Sequence, residues 1–135
     1  MSVEKNFIRG ERYALDAVKA HQSMRKPPII DLAHDYFVLG DIRMARGNYD
    51  GALNSYHKSK ENFERMYGDN HHLTAATLSG AAEALVMLGQ YETALEYYKK
   101  IESVCLDTLG SENEQTLTVA QSIKVIKEIM ERTTE

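Results

Sequence analysis

The chain has 135 residues, of which 43% are hydrophobic and 27% are charged, a composition typical of one ordinary globular domain rather than a disordered chain. Its net charge of -4 disfavours nucleic-acid binding, which needs a concentrated basic face, and no stretch approaches the roughly 18 consecutive apolar residues of a membrane span. Because the N-terminus lacks the apolar run of a signal peptide and the only cysteine is Cys105, we expect a cytoplasmic protein without disulfides.

An internal repeat is the main signal in the sequence. Its period is 42 residues, and the matches need no gap. So many matches at one offset indicate repeated supersecondary units. These residues of the first block recur unchanged 42 positions later: Gly47, Tyr49, Ala52, Leu53, Tyr56, Lys58 and Gly68.

The first predicted element is a leading helix over residues 4–25. Phe7 and Gly10 stand 42 positions before Tyr49 and Ala52, which belong to the second half of the repeated block. The leading helix therefore corresponds to the second helix of an incomplete repeat.

Two whole repeats follow, over 29–68 and 71–110. Each contains two segments with apolar residues at helical spacing, separated by a short turn. Each unit is therefore predicted to be helix, tight turn, helix. Glycine accepts the left-handed conformation of a C-terminal cap, so four glycines are predicted to end the four helices: Gly47, Gly68, Gly89 and Gly110.

Small residues occupy positions where two helix backbones should approach each other. They are Gly40 and Ala82 on the first helices and Ala52 and Ala94 on the second helices. A large side chain at such a position would overpack the pair and cost about 1–3 kcal/mol.

The last predicted element is a capping helix over 113–132, which matches the first helix of a repeat. Lys124 and Lys127 flank its apolar stripe, as expected for a helix with one solvated face. The predicted fold is all-α: a single domain over 1–135, built as a solenoid of about six antiparallel helices. It holds two whole repeats plus a half repeat at each end.

The repeated residues resemble the tetratricopeptide pattern, whose usual period is about 34 residues. Eight extra residues per repeat would add about one turn to each helix. This lengthened form resembles the repeats of kinesin light chains and related bacterial proteins, which place a Gly-x-x-His motif between repeats, as Gly68 and His71 do here. The residues that carry the resemblance in the first repeat are Tyr36, Leu39, Gly40, Gly47, Tyr49, Ala52, Tyr56 and Ser59.

The resemblance implies a non-catalytic module that binds a protein or peptide in a concave groove lined by the first helix of each repeat. Asp41 and Glu83 are equivalent by the 42-residue offset and would suit a partner with basic residues beside apolar ones. The alternative is that both carboxylates are solvated or paired with a local base. By analogy with the family, the groove residues are His34, Phe37, Asp41, Met44 and Ala45, then Ala76, Ser79, Glu83, Val86 and Met87.

Catalytic, metal-binding and cofactor motifs are not found in the sequence. The adjacent His71 and His72 do not share a helix face, and His57 lies one helix away. The sequence pattern places no activating base near Cys105, and we expect this cysteine to be a small buried hydrophobic residue. We therefore expect no enzyme, no metal and no cofactor.

Two other hypotheses stay open. Residues 1–30 carry six Lys and Arg against three Asp and Glu, a net of +3 that leaves -7 for the rest of the chain. The leading helix also lacks a preceding partner helix, so an uncovered face would allow a homodimer or structural subunit to assemble through it. The other alternative is an interaction domain of a larger multidomain protein.

Overall fold

The computed structural model describes residues 3–133, which form six α-helices joined by short turns. Consecutive helices pack against each other, and no strand occurs in this range. The all-α fold predicted from the sequence is confirmed, although the leading helix stops at Gln22 and not at residue 25. The helices are α1 (Val3–Gln22), α2 (Ile29–Ala45), α3 (Tyr49–Tyr67), α4 (His72–Met87), α5 (Tyr91–Leu109) and α6 (Glu114–Thr133).

Glycines in the left-handed region follow four of the helices, as the sequence predicted. Their φ angles are 80° at Gly47, 84° at Gly68, 76° at Gly89 and 87° at Gly110. After α2, the backbone N–H of Asn48 donates to the carbonyl of Arg43 across the turn, at 2.9 Å. This bond satisfies a carbonyl that the helix itself leaves unpaired.

The helices form two layers, with α2, α4 and α6 in one and α1, α3 and α5 in the other. Helix α4 lies in the middle and buries residues on most of its circumference, which explains why its sequence is apolar all round. The largest part of the core joins α4, α5 and α6, where these residues are buried: Leu78, Ala82, Leu85, Ala94, Tyr98, Ile101, Cys105, Ile123 and Ile126.

A tyrosine held between two glycines sets the spacing of α2 and α4. The Tyr56 side chain is 2% exposed and its ring lies against Gly40 of α2 and Gly80 of α4. A Cβ atom added at Gly40 would lie 2.7 Å from the ring, and one added at Gly80 would lie 2.6 Å from it. Because neither glycine has a side chain, the backbones of α2 and α4 can both approach the ring. The two helices therefore also come close to each other.

The next repeat lacks this arrangement. Ala82 and Ser122 stand 42 positions after Gly40 and Gly80, around Tyr98, the equivalent of Tyr56. In the described part of the chain, no Cα atom of α4 lies within 8 Å of one of α6, whereas α2 and α4 approach each other within this distance. The two repeats are therefore similar in sequence but differ in how closely their first helices approach.

Helix α1 is joined to α2 by apolar packing and by ion pairs. Ala14 and Val18 pack against the buried face of α2. Glu11 accepts a hydrogen bond from Arg43 Nε at 3.1 Å and a second one from Arg46. Burial raises the pKa of Glu11, but these two guanidinium groups outweigh it and bring the pKa below its ordinary value. The pairing therefore stabilises the fold above the unfolded-state pKa of Glu11, and this contribution is lost as the pH falls through the folded-state pKa.

Two equivalent threonines make a matched test of hydrogen bonding in the core. Thr74 Oγ1 donates to the carbonyl of Gly68 at 2.9 Å, whereas the buried Oγ1 of Thr116, 42 positions later, has no partner among the described residues. We expect Thr116→Val to leave the free energy of unfolding unchanged or raise it slightly. Thr74→Val should lower it by about 1 kcal/mol, because it removes a satisfied hydrogen bond. Chemical denaturation of both variants measures the difference, and equal effects would contradict the expectation.

Candidate functional site

The gap between α4 and α6 forms a cleft, which we call the α4–α6 cleft. It consists of two hollows, of about 1020 Å³ and 650 Å³, which share Glu114 and Thr118. Helix α5 supplies its floor through Tyr98 in one hollow and through Ile101 and Val104 in the other. A cleft of this size has room for several side chains of a bound segment.

The walls of the cleft are largely apolar and its charges are negative. Val86 lies on the α4 side, and Leu117 and Val125 of α6 are 56% and 41% exposed. Glu112 and Glu114 are at the start of α6, and no Lys or Arg of the described residues lines either hollow. This surface suits an apolar segment with basic residues.

A pair of carboxylates, Asp41 of α2 and Glu83 of α4, lines neither hollow but is linked to the cleft through the effect of Glu83 on Tyr98. Asp41 Oδ1 accepts a hydrogen bond from the Tyr56 hydroxyl at 2.5 Å. Burial raises the pKa of Tyr56, and the bond to Asp41 raises it further, so this phenol stays neutral. Burial also raises the pKa of Glu83, with a second contribution from the Asp41 carboxylate, and Glu83 in turn acts on Tyr98 in the cleft floor. Glu83 therefore acts on the pKa of both tyrosines, and a positive charge near it would be favourable.

The groove residues predicted on α2 are mostly engaged in packing. The His34 ring meets the edge of Phe63 with centroids 4.9 Å apart, and the Phe37 ring meets Tyr56 at 5.8 Å. Both Phe37 and Met44 are half-buried against the cluster around Tyr56. His34, Asp41 and Ala45 are exposed, and among them Asp41 supplies the carboxylate.

The groove residues predicted on α4 lie closer to the cleft. Ala76, Ser79 and Val86 line it directly. Glu83 is exposed, and Met87 is 56% exposed at the end of the helix. The predicted groove residues are on α2 and α4, whereas the α4–α6 cleft lies one helix pair further along the chain.

The residues of α6 that line the cleft were not assigned to the groove from the sequence. The 42-residue offset could have located them, because Gln121 and Val125 are the equivalents of Ser79 and Glu83. The sequence could not show that α6 stands apart from α4. The cleft residues contributed by α6 are Glu114, Gln115, Leu117, Thr118, Val119, Gln121, Ser122, Val125, Ile126 and Ile129.

The outward face of α1 differs from the uncovered apolar face expected for an unpartnered helix. Tyr13 is 74% exposed and Ile8 is 47% exposed, but the same side of the helix carries Arg9, Arg12 and Lys19. The exposed side of α1 is therefore mixed, with basic residues predominating.

The histidines and the cysteine have structural surroundings. His71 precedes α4, where its Nδ1 accepts a hydrogen bond from the Leu73 N–H at 3.2 Å, and its ring stacks on Tyr67 at 4.3 Å. His57 Nε2 lies 2.8 Å from the Tyr97 hydroxyl. Burial raises the pKa of the Cys105 thiol, and Glu102 raises it further, which disfavours the reactive thiolate. Within residues 3–133 there is no group of three or more His, Cys, Asp or Glu side chains that could hold a metal ion.

Helix pairs that stack with a fixed 42-residue offset define an α-helical repeat protein. The Tetratricopeptide repeat family model matches residues 32–107, more than half of the chain, and the protein belongs to this family. Tetratricopeptide repeats generally mediate protein–protein interaction, and the family is typically non-enzymatic. In the part of the chain that the structure describes, no helix has both the length and the apolar character needed to cross a bilayer.

Comparison with solved structures supports the same fold. A crystal structure of BtubC (BKLC) from P. vanneervenii matches with a TM-score of 0.83 and 19% sequence identity, over 94% of this chain and 50% of that chain. The chain thus spans about half the length of BtubC, and at this identity the likeness concerns the fold alone. No curated protein matches the sequence significantly.

Proposed function

We propose that the protein is a non-catalytic interaction module that holds a peptide segment of a partner protein in the α4–α6 cleft. The segment carries apolar side chains and at least one Lys or Arg. The observation that carries this proposal is the cleft itself, a largely apolar hollow with acidic residues and, among the described residues, no Lys or Arg in its lining.

The apolar lining supports binding through burial of hydrophobic surface. Leu117 and Val125 are large side chains that are about half exposed, and both face the same cleft. Covering such surface contributes about 25 cal/mol per Å² before the costs of ordering the peptide. A peptide with two or three apolar side chains would match this surface.

The carboxylates support selection of a basic residue. Asp41 and Glu83 both raise the pKa of Tyr56, and Asp41 raises the pKa of Glu83, so the two negative charges are close enough to act on the same groups. A Lys or Arg of the partner would relieve this repulsion and favour the ionised form of Glu83. Peptide binding should therefore weaken as the pH falls through the raised pKa of Glu83.

The lengthened repeats support a relation to the type found in kinesin light chains. The period is 42 residues, and the four helices of the two whole repeats have between 16 and 19 residues. His71 of the Gly-x-x-His motif caps α4, which gives the motif a structural role between repeats. A single buried cysteine supports a reducing compartment, in agreement with a cytoplasmic location.

A peptide-selection experiment tests the proposal. The purified protein is used to select binders from a random-sequence peptide library, and affinities are measured by fluorescence anisotropy. We expect selected peptides to combine apolar residues with Lys or Arg. Charge reversal by Asp41→Lys with Glu83→Lys should weaken their binding tenfold or more, an order of magnitude typical of lost charge complementarity at close range.

Two further variants separate binding from folding. The neutral pair Asp41→Asn with Glu83→Gln keeps side-chain size and should also weaken binding, without altering the helical circular dichroism. Glu96→Lys with Glu128→Lys reverses the same number of charges at exposed positions outside the cleft and should leave binding intact. Equal losses in the variants of Asp41 with Glu83 and in this control pair would refute the role of these two carboxylates and of the cleft beside Glu83.

A further inference from the structure

A small pocket in the N-terminal half of the fold shares no lining residue with the cleft. It has a volume of about 210 Å³ and lies between α1 and α3, with α2 as its floor. Lys19 reaches it from α1, Lys58 from α3 and Arg43 from α2. Three cationic side chains from three different helices therefore meet in one pocket.

The charges in this pocket are not balanced. Arg43 is neutralised by Glu11, to which its Nε donates at 3.1 Å. Neither Lys19 nor Lys58 lies within ion-pair distance of a carboxylate in the described range 3–133. Two positive charges thus line the pocket without a negative partner, and both lysines are exposed, so an anion can reach them from solvent.

The surrounding side chains hold the pocket in a fixed geometry. The Lys58 ammonium lies over the Tyr36 ring, 5.4 Å from its centroid, and this cation–π contact orients it. The Tyr36 hydroxyl accepts a hydrogen bond from Gln22 Nε2 at 2.8 Å, so its own proton is available for another acceptor. Arg43 Nη1 donates to Ser55 Oγ at 2.9 Å and is held against α3. Lys58 and Arg43 are therefore oriented before a ligand arrives.

The pocket is not a by-product of the repeat. At the positions 42 residues after Lys19, Gln22 and Asn54, which all line it, the sequence has Glu61, Glu64 and Glu96. The next repeat thus keeps the equivalent of Lys58, Lys100, but adds three acidic residues around it. Its lysines are also paired, since Lys60 contacts Glu64 at 3.3 Å and Lys100 contacts Asp69 at 3.9 Å.

We infer that the pocket between α1 and α3 is a binding site for a phosphate group. A phosphate dianion would match the two uncompensated charges of Lys19 and Lys58. Its oxygens would accept hydrogen bonds from the Tyr36 hydroxyl and from the side-chain amides of Gln22 and Asn54, which also line the pocket. This site is separate from the α4–α6 cleft, and its existence does not depend on the peptide proposed to bind there.

Nuclear magnetic resonance titrations of the full chain, in a buffer without phosphate, test the inference. We expect inorganic phosphate to shift the amide signals of α1 and α3 with a Kd on the order of 1 mM, as for a few charge-assisted hydrogen bonds to a small ion. Lys19→Gln with Lys58→Gln should weaken binding about tenfold. Lys99→Gln with Lys124→Gln removes the same charge at exposed positions elsewhere and should leave the affinity unchanged.

Parallel titrations identify the source of the phosphate group. A short peptide with one phosphoserine that binds tenfold more tightly than inorganic phosphate would indicate a phosphorylated side chain of a partner, and equal affinities would indicate a free phosphate compound. Both results support the site. Absence of shifts in α1 and α3 on adding phosphate would overturn the inference, as would acetate binding as tightly as phosphate or equal losses in the two lysine variants.

Discussion

Replacing Gly80 with alanine is expected to destabilise the protein by about 1–3 kcal/mol, although alanine is the better helix former. The new methyl group would stand 2.6 Å from the Tyr56 ring, which is 2% exposed and has no room to move away. Either the ring or α4 must shift, and both movements disturb the contact between α2 and α4. Thermal and chemical denaturation, followed by circular dichroism, measure the change.

The same substitution at Gly10 makes the matched control. Gly10 lies inside α1, and an added Cβ atom would meet only the flexible end of Ile42, at 3.4 Å. Gly10→Ala should therefore raise the free energy of unfolding by up to about 1 kcal/mol, because it removes the conformational entropy cost of glycine in a helix. Opposite signs for the two variants are the expected result. A stabilising Gly80→Ala would show that Tyr56 is not held between the two glycines.

Ala94→Trp is expected to lower stability by about 3 kcal/mol or more, the upper range for overpacking of a filled core. Ala94 has no exposed surface and packs within the core of α4, α5 and α6, beside Ala82 and Tyr98. An indole ring at this position would force α4 and α5 apart. The loss of the cooperative unfolding transition, or a large drop in its midpoint, would be visible by circular dichroism and by intrinsic fluorescence.

Ala20→Trp controls for the introduction of the indole itself. Ala20 is exposed on α1, and a large side chain there meets solvent. We expect this variant to unfold within about 0.5 kcal/mol of the original protein, as surface substitutions usually do. If Ala94→Trp were equally well tolerated, the pairing of α4 with α5 would have to be reconsidered.

The elements of the fold could be predicted because they depend on local signals. Periodic apolar residues mark the helices, and a glycine ends a helix wherever a left-handed residue is needed, as at Gly47 and Gly89. The small residues at Ala52 and Ala94, both fully buried, also follow from the repeat. Each of these features is set by residues within one repeat, so an internal comparison of the sequence is sufficient.

The position of the α4–α6 cleft could not be predicted, because it depends on a difference between the repeats. Gly80 has no glycine at the equivalent positions, which hold Val38 and Ser122, and its partner Tyr56 belongs to the preceding helix. A comparison that looks for repeated residues overlooks a residue that occurs once. The ion pair between Arg43 and Glu11 could not be predicted either, because the two residues are 32 positions apart and this spacing matches no repeated pattern.

The tyrosine between two glycines divides the molecule into a rigid and an adjustable part. Separating α2 from α4 would expose the Tyr56 ring, so this half resists deformation. Helix α6 packs mainly on α5, and no Cα atom of α6 lies within 8 Å of one of α4, so a small rotation of α6 would widen or narrow the cleft at the cost of repacking Ile123 and Ile126. The peptide proposed to bind there could therefore vary in thickness, because one wall of the cleft can move while the other stays fixed.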